Sequence, residues 1–157
     1  MYRHELKYMI NPGSAQIIKS RLKSVCRADI NANENGGYRV SSLYFDDFCD
    51  SAINDNIQGS IKRKKFRIRI YDGQESIIKL ERKIKNNKGG LKHSVLLTKS
   101  QYESIMKGVY GFMKNSDNEV IADFYTFLTT RLLQPKVIVD YDREAYVYDF
   151  GDVRITF

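Results

Sequence analysis

The chain has 157 residues, 42% of them hydrophobic, which suits one domain with a real buried core. Lys and Arg number 26 against 19 Asp and Glu, and the resulting net charge of +7 favours anionic partners such as nucleotides, polyphosphate, nucleic acid or an anionic membrane surface without choosing among them. No apolar run approaches the ~20 residues that span a bilayer, and no signal-peptide core opens the chain, so a cytoplasmic protein with no membrane segment is expected. Cys26 and Cys49 have no metal-site spacing and are expected as reduced thiols.

In chain order, residues 2–10 are predicted as a strand that ends at Asn11-Pro12-Gly13. A helix follows to about Cys26, with Ala15, Ile18, Leu22 and Val25 at helical spacing and Pro12 near its start. Residues 29–37 are loop by composition, and Arg39 to Asp46 form a strand. Residues 48–58 read as a short helix or an irregular link. Two long strands are predicted at about 61–72 and 76–86, joined by Asp72-Gly73, a hairpin signal. Lys88-Gly89-Gly90 marks a turn before a strand at 92–97. Thr98 and Gln101 have the form of a capping box and open a helix to about Lys107. A second helix is predicted from Asp117 to Leu133, stopped by Pro135, with strands at 136–148 and 152–157 closing the chain. Strands outnumber helices and most connections are short, which predicts an antiparallel α+β domain.

Four of these segments place charged residues at every second position. They are Arg3-Glu5-Lys7, Arg67-Arg69, Lys79-Glu81-Lys83 and Tyr141-Arg143. Successive side chains of a strand point to opposite faces, so each set stands on one side, opposite apolar residues such as Phe66, Ile68, Ile78 and Leu80. The charged faces are mostly cationic and would form a basic pocket if they met.

The pieces Tyr2 to Tyr8, Val40 to Asp46, Phe66 to Tyr71, Lys79 to Lys83, Arg131 to Lys136, Tyr141 to Arg143 and Val153 to Ile155, in this order, resemble the VTC domain. That is the polyphosphate polymerase domain of the triphosphate tunnel metalloenzyme (CYTH-like) superfamily. The resemblance implies a single domain over 1–157, an antiparallel β-barrel forming a charged tunnel with helices outside. It implies transfer of the terminal phosphate of ATP to a polyphosphate chain with a divalent metal, manganese or magnesium. Other branches hydrolyse triphosphates, so a metal-dependent triphosphatase and a non-catalytic polyphosphate-binding module are the alternatives. Carried over by position, Lys7, Arg67, Arg69, Lys83, Lys92, Tyr141, Arg143 and Arg154 are candidates to bind phosphate, with His93 a second choice for Lys92. Glu5 and Glu81 are candidates for metal contact, although Arg3 replaces the first Glu of the family's opening strand. The family's last acidic ligand and Lys lie on later strands, so the catalytic residues are expected after Phe157. The expected partners are ATP or another triphosphate and polyphosphate, with no specific nucleic acid; the oligomeric state is not readable.

Plainer readings compete at several positions. Arg67-Arg69 or Lys79-Glu81-Lys83 taken singly could be a solvated sheet face with cross-strand ion pairs. Lys62-Arg63-Lys64-Lys65 reads as an exposed loop or strand start, Asp46-Asp47 as a turn cap, and His4 and His93 as structural or surface residues. Tyr44, Phe45, Phe124, Tyr125 and Phe127 read as core, and Ser42 lacks the glycine-flanked elbow of a nucleophile. There is no Walker-type glycine loop.

Overall fold

Three consecutive strands pair as an antiparallel meander in the computed structural model, which describes residues 5–34, 36–87, 89–151 and 153–157. The elements in chain order are α1 (Pro12–Leu22), β1 (Arg27–Ala28), β2 (Tyr38–Asp46), α2 (Ser51–Ile57), β3 (Arg63–Tyr71), β4 (Gln74–Asn86) and β5 (Gly89–Leu97). They continue with α3 (Lys99–Met106), a 3₁₀ turn at Gly111–Met113, α4 (Glu119–Thr130), β6 (Gln134–Arg143), β7 (Ala145–Tyr148) and β8 (Val153–Thr156). The expected α+β class with antiparallel sheets is the one adopted, and the described strands fall into a sheet of five and a sheet of three. The chain divides into two compact units, Ser41–Asp140 and Glu5–Val40 with Tyr141–Phe157.

The first unit carries the sheet ordered β5-β4-β3-β2-β6. β3 and β4 turn at Asp72 and Gly73, both with positive φ (52° and 67°), the backbone a two-residue hairpin of matching twist requires. One face of the meander is apolar. Phe66, Ile68, Ile78, Leu80 and Leu97 pack there with Phe45, Ile105 of α3, and Phe124 and Leu128 of α4. Phe124 sits 5.0 Å from the ring centroid of Phe45 and 5.1 Å from that of Phe66. The edge of α4 is pinned by charge: Asp123 accepts from Arg82 at 2.9 Å and from Lys64 at 2.8 Å. Thr98 and Gln101 form the expected capping box on α3. Asp46 and Asp47 are the caps expected of them: Asp46 accepts from Ala52 N–H at 2.9 Å and Ile53 N–H at 3.1 Å, and Asp47 from Ser51 N–H at 3.0 Å.

The second unit holds α1 and the sheet β1-β7-β8. Asn11 caps α1 by accepting from Ser14 N–H at 2.8 Å, and Pro12 stands in its first turn, where a missing N–H costs nothing. α1 forms where its periodicity predicts, but it buries none of its residues. Asp29, Tyr38, Val40, Ala145 and Tyr146 are buried. Gly37 is required by close approach, since a Cβ there would lie 2.9 Å from the carbonyl oxygen of Arg143.

Several boundaries differ from expectation. The predicted strand at 2–10 does not form over residues 5–10, which have no regular structure; Tyr2, Arg3 and His4 lie outside the described residues. A strand needs a neighbour for its N–H and C=O groups, and period-two spacing supplies none. Gly89 and Gly90, predicted as turn, already belong to β5, opposite Asn86 and Lys85, while Lys88 is outside the described residues. α4 ends at Thr130, with Leu132 at φ 53°, before Pro135 can act; that proline lies inside β6. The single strand predicted at 136–148 is two, broken at Glu144, whose backbone pairs instead with Phe157. Cys26 and Cys49 are free thiols, as expected. No helix of the described residues is long and apolar enough to cross a membrane.

Candidate functional site

The face of the meander opposite the apolar one carries charge, and the register fixes which residues share it. Arg69 stands opposite Lys79, Arg67 opposite Glu81, Lys65 opposite Lys83 and Arg63 opposite Lys85, while β5 adds Lys92 beside Lys83. Directly paired residues of an antiparallel ladder project to the same side. Eight cations therefore stand on one face of three strands, with Glu81 paired into the ladder among them, while Glu75, nearer the hairpin, is ion-paired with Lys99.

Glu81 is only 1% exposed. Its Oε2 accepts from Arg67 Nε at 2.7 Å and lies 3.9 Å from Arg69, while its Oε1 accepts from Lys92 Nζ at 3.1 Å. β2 supplies the outer supports. Arg67 donates through a second nitrogen to Tyr44 Oη at 2.8 Å, and Arg69 Nε donates to Ser42 Oγ at 3.0 Å. Burial alone would raise the Glu81 pKa, but Arg67, Lys92 and Arg69 outweigh it and hold the carboxyl below the usual glutamate range. Burial pulls on Arg67 in the opposite sense, and Glu81 and Tyr44 overcome it, leaving the guanidinium more firmly charged. The Lys65 amine is pushed down by burial and by Arg63 beside it.

These shifts predict an acid-sensitive fold. A carboxylate whose folded pKa is depressed stabilises the native state at pH above the unfolded value. That contribution disappears as pH falls through the folded value. The melting temperature of the wild-type chain is therefore expected to drop more steeply below about pH 4.5 than that of E81Q, measured by circular dichroism at constant ionic strength. Parallel curves for the two proteins would contradict the assignment.

Of the predicted phosphate contacts, Arg67, Arg69, Lys83 and Lys92 are thus brought to one face, with Glu81 between them. Lys92 and not His93 is on that side; His93 pairs with Arg82, which belongs to the apolar face. The others belong to the second unit. Lys7 and Glu5 are exposed and 3.7 Å apart. Tyr141 lies on β6. Arg143 donates to Thr156 Oγ1 at 3.3 Å, and its guanidinium lies 5.8 Å from the ring centroid of Tyr38. Arg154 is ion-paired with the buried Asp29. Lys62-Arg63-Lys64-Lys65, expected as an exposed loop or strand start, does open β3, which starts at Arg63. Sequence reasoning did not place Arg63, Lys65 and Lys85 on this face, although Arg63 and Lys65 continue the alternation of Arg67 and Arg69. Tyr44, expected in the core, belongs with the charged face through its hydroxyl, and Ser42 is a hydrogen-bond partner of an arginine.

A divalent metal does not fit the cluster around Glu81. Magnesium and manganese ask for several oxygen ligands, and both Glu81 oxygens are already engaged by cations. Like charges 4 Å apart cost roughly 4 kcal/mol per unit pair at a protein surface, and a divalent ion doubles that. No group of three or more His, Cys, Asp or Glu side chains gathers as a metal site among the described residues. A cleft of about 430 Å³ opens near the start of β3, walled by Asp55, Phe127 and Arg131 together with Arg63 and Lys85 from the end of the charged face.

The family model for the VTC domain matches residues 2–157. A crystal structure titled a "putative adenylate cyclase" from Bacillus halodurans superposes with a TM-score of 0.63 at 15% identity, covering 94% of this chain and 67% of that one. At that identity the likeness is one of fold. No curated protein matches the chain.

Proposed function

The chain belongs to the VTC domain family of the triphosphate tunnel metalloenzyme superfamily, and on that premise we propose that it binds nucleoside triphosphate and polyphosphate on the cationic face of β3–β5, as a polyphosphate polymerase-type domain that passes the terminal phosphate of ATP to a polyphosphate chain. The observation that carries the reading is the register-matched set of Arg67, Arg69, Lys83 and Lys92, extended by Lys65 and Arg63. Phosphoryl transfer asks little covalent chemistry of protein side chains; it asks for positioning and for cations against the charge on the phosphate oxygens. Arginine supplies paired planar donors and lysine a movable point charge. Tyr44 and Ser42 hold the two arginines in place, so donors are already arranged when the anion arrives.

The tunnel architecture, a cytoplasmic setting and further phosphate contacts from Lys7, Tyr141, Arg143 and Arg154 belong to the same proposal. Superfamily members generally use divalent metals, and manganese or magnesium would serve here, but the described residues around Glu81 do not supply its ligands. Incubation with ATP and manganese separates the catalytic versions: long chains on a gel support polymerase activity, whereas orthophosphate alone supports a triphosphatase.

Binding is tested first by thermal shift. Tripolyphosphate at a hundred times its Kd is expected to raise Tm by about 5–10 °C, from roughly 2.7 kcal/mol of linkage. Sulfate and orthophosphate at the same concentration should shift it far less. Equal shifts with all three anions would sink the idea of a dedicated phosphate face.

A further inference from the structure

We propose that Glu81 is the resident counter-ion of the phosphate face, competing with the bound anion for Arg67, Arg69 and Lys92 rather than holding a metal. The inference rests on the reading that this face takes phosphate, and it says how the empty and filled states differ. Glu81 is buried at the centre of the charged face, opposite Arg67 on one neighbouring strand and Ser94 on the other. Both carboxylate oxygens are committed to cations. The other carboxylate of these strands, Glu75, lies outside the paired register near the hairpin and is ion-paired with Lys99 at 2.7 Å. Such an environment is complementary to an anion and hostile to a divalent cation.

The geometry leaves Arg67 partly available. A guanidinium has five N–H donors. Arg67 gives Nε and one terminal nitrogen to Glu81 and the other terminal nitrogen to Tyr44, so each terminal nitrogen keeps a second hydrogen. A phosphate can therefore join the cluster without expelling the carboxylate, but it does so beside a fixed negative charge. Glu81 thus lowers affinity for the anion while it keeps the unfilled face from holding uncompensated cations.

The test uses the wild-type chain and E81Q, which keeps the side chain's size and one acceptor oxygen but removes the charge. Calorimetric titration with tripolyphosphate in EDTA should show about tenfold tighter binding to E81Q. Free manganese, followed by its electron paramagnetic resonance signal, should not bind the wild type at millimolar concentration. Weaker tripolyphosphate binding by E81Q in EDTA would overturn the proposal, as would a manganese ion held by the wild type and lost in the variant. In both of those cases the phosphate face itself stands. If E81Q fails to fold, the wild type still decides: binding of tripolyphosphate in EDTA without uptake of manganese supports the counter-ion, and stoichiometric uptake of manganese at this face refutes it. A wild-type chain that binds tripolyphosphate in neither EDTA nor manganese removes the phosphate reading and the counter-ion together.

Discussion

A chain carrying Arg67→Gln and Arg69→Gln together is expected to bind tripolyphosphate at least a hundredfold more weakly than the wild type, measured by calorimetry. Hydrogen bonds to charged groups contribute about 1.5–3 kcal/mol each, and 1.4 kcal/mol is a factor of ten. Two lost contacts thus amount to two orders of magnitude or more. The substitutions also strip Glu81 of two of its three cations, leaving Lys92 as its remaining partner. Removing one partner of a buried ion pair is strongly destabilising, so binding must be read at a temperature where the variant is folded by circular dichroism. The control removes equal charge elsewhere. Lys99→Gln with Lys107→Gln alters the first residue and the C-cap of α3, whose Ile105 packs against the apolar side of the sheet. That variant should bind within about threefold of the wild type, since screening at physiological salt limits charge effects beyond ~8 Å. Similar losses in both doubles would mean that the chain responds to net charge and has no specific phosphate face.

The largest stability effect is expected from Phe124→Ala, at about 3–5 kcal/mol. Phe124 is fully buried and touches two other rings, Phe45 and Phe66, so its removal leaves a void walled by rigid aromatics. With about 2–4 °C lost per kcal/mol in a chain of this size, Tm should fall by roughly 6–20 °C. Phe48→Ala is the matched comparison. Phe48 is 86% exposed and should leave Tm within about 2 °C, because its ring is already in water. A thermal melt of each decides it; equal losses would place the core elsewhere.

Phe48 and Phe124 also show what the sequence could and could not disclose. Phe124 was legible as core because it stands on the helix predicted at 117–133, whereas the segment 48–58 was ambiguous and the exposure of Phe48 beside Asp47 is seen only in the fold. The faces of β3, β4 and β5 were legible because period-two alternation is a local signal that pairing preserves residue by residue. The same alternation at Glu5 and Lys7 produced no strand over the described residues, since a strand also needs a partner that local spacing cannot specify. Gly89 and Gly90 were misread because glycine is ordinarily a turn residue. In β5 Gly90 simply continues the ladder opposite Lys85, at a position where a Cβ would meet Lys83 Cε at an ordinary contact distance of 4.0 Å. The carboxylate of Glu81 was visible as a charged residue in a charged row. Its capture by three cations depended on Lys92, which arrives from the next strand and so could not be read from that row.

The turn at Asp72 and Gly73 bears on the order in which the molecule assembles. Arg67 and Glu81 are 14 positions apart, and Glu81 and Lys92 are 11. Contacts this close in sequence have small loop-closure entropy, and hairpins form in about 1–10 μs. The helix that seals the opposite side, α4, begins only at Glu119 and must be recruited over a far longer stretch of chain. The residues that would meet phosphate can thus find one another early, while the back of the sheet still faces water.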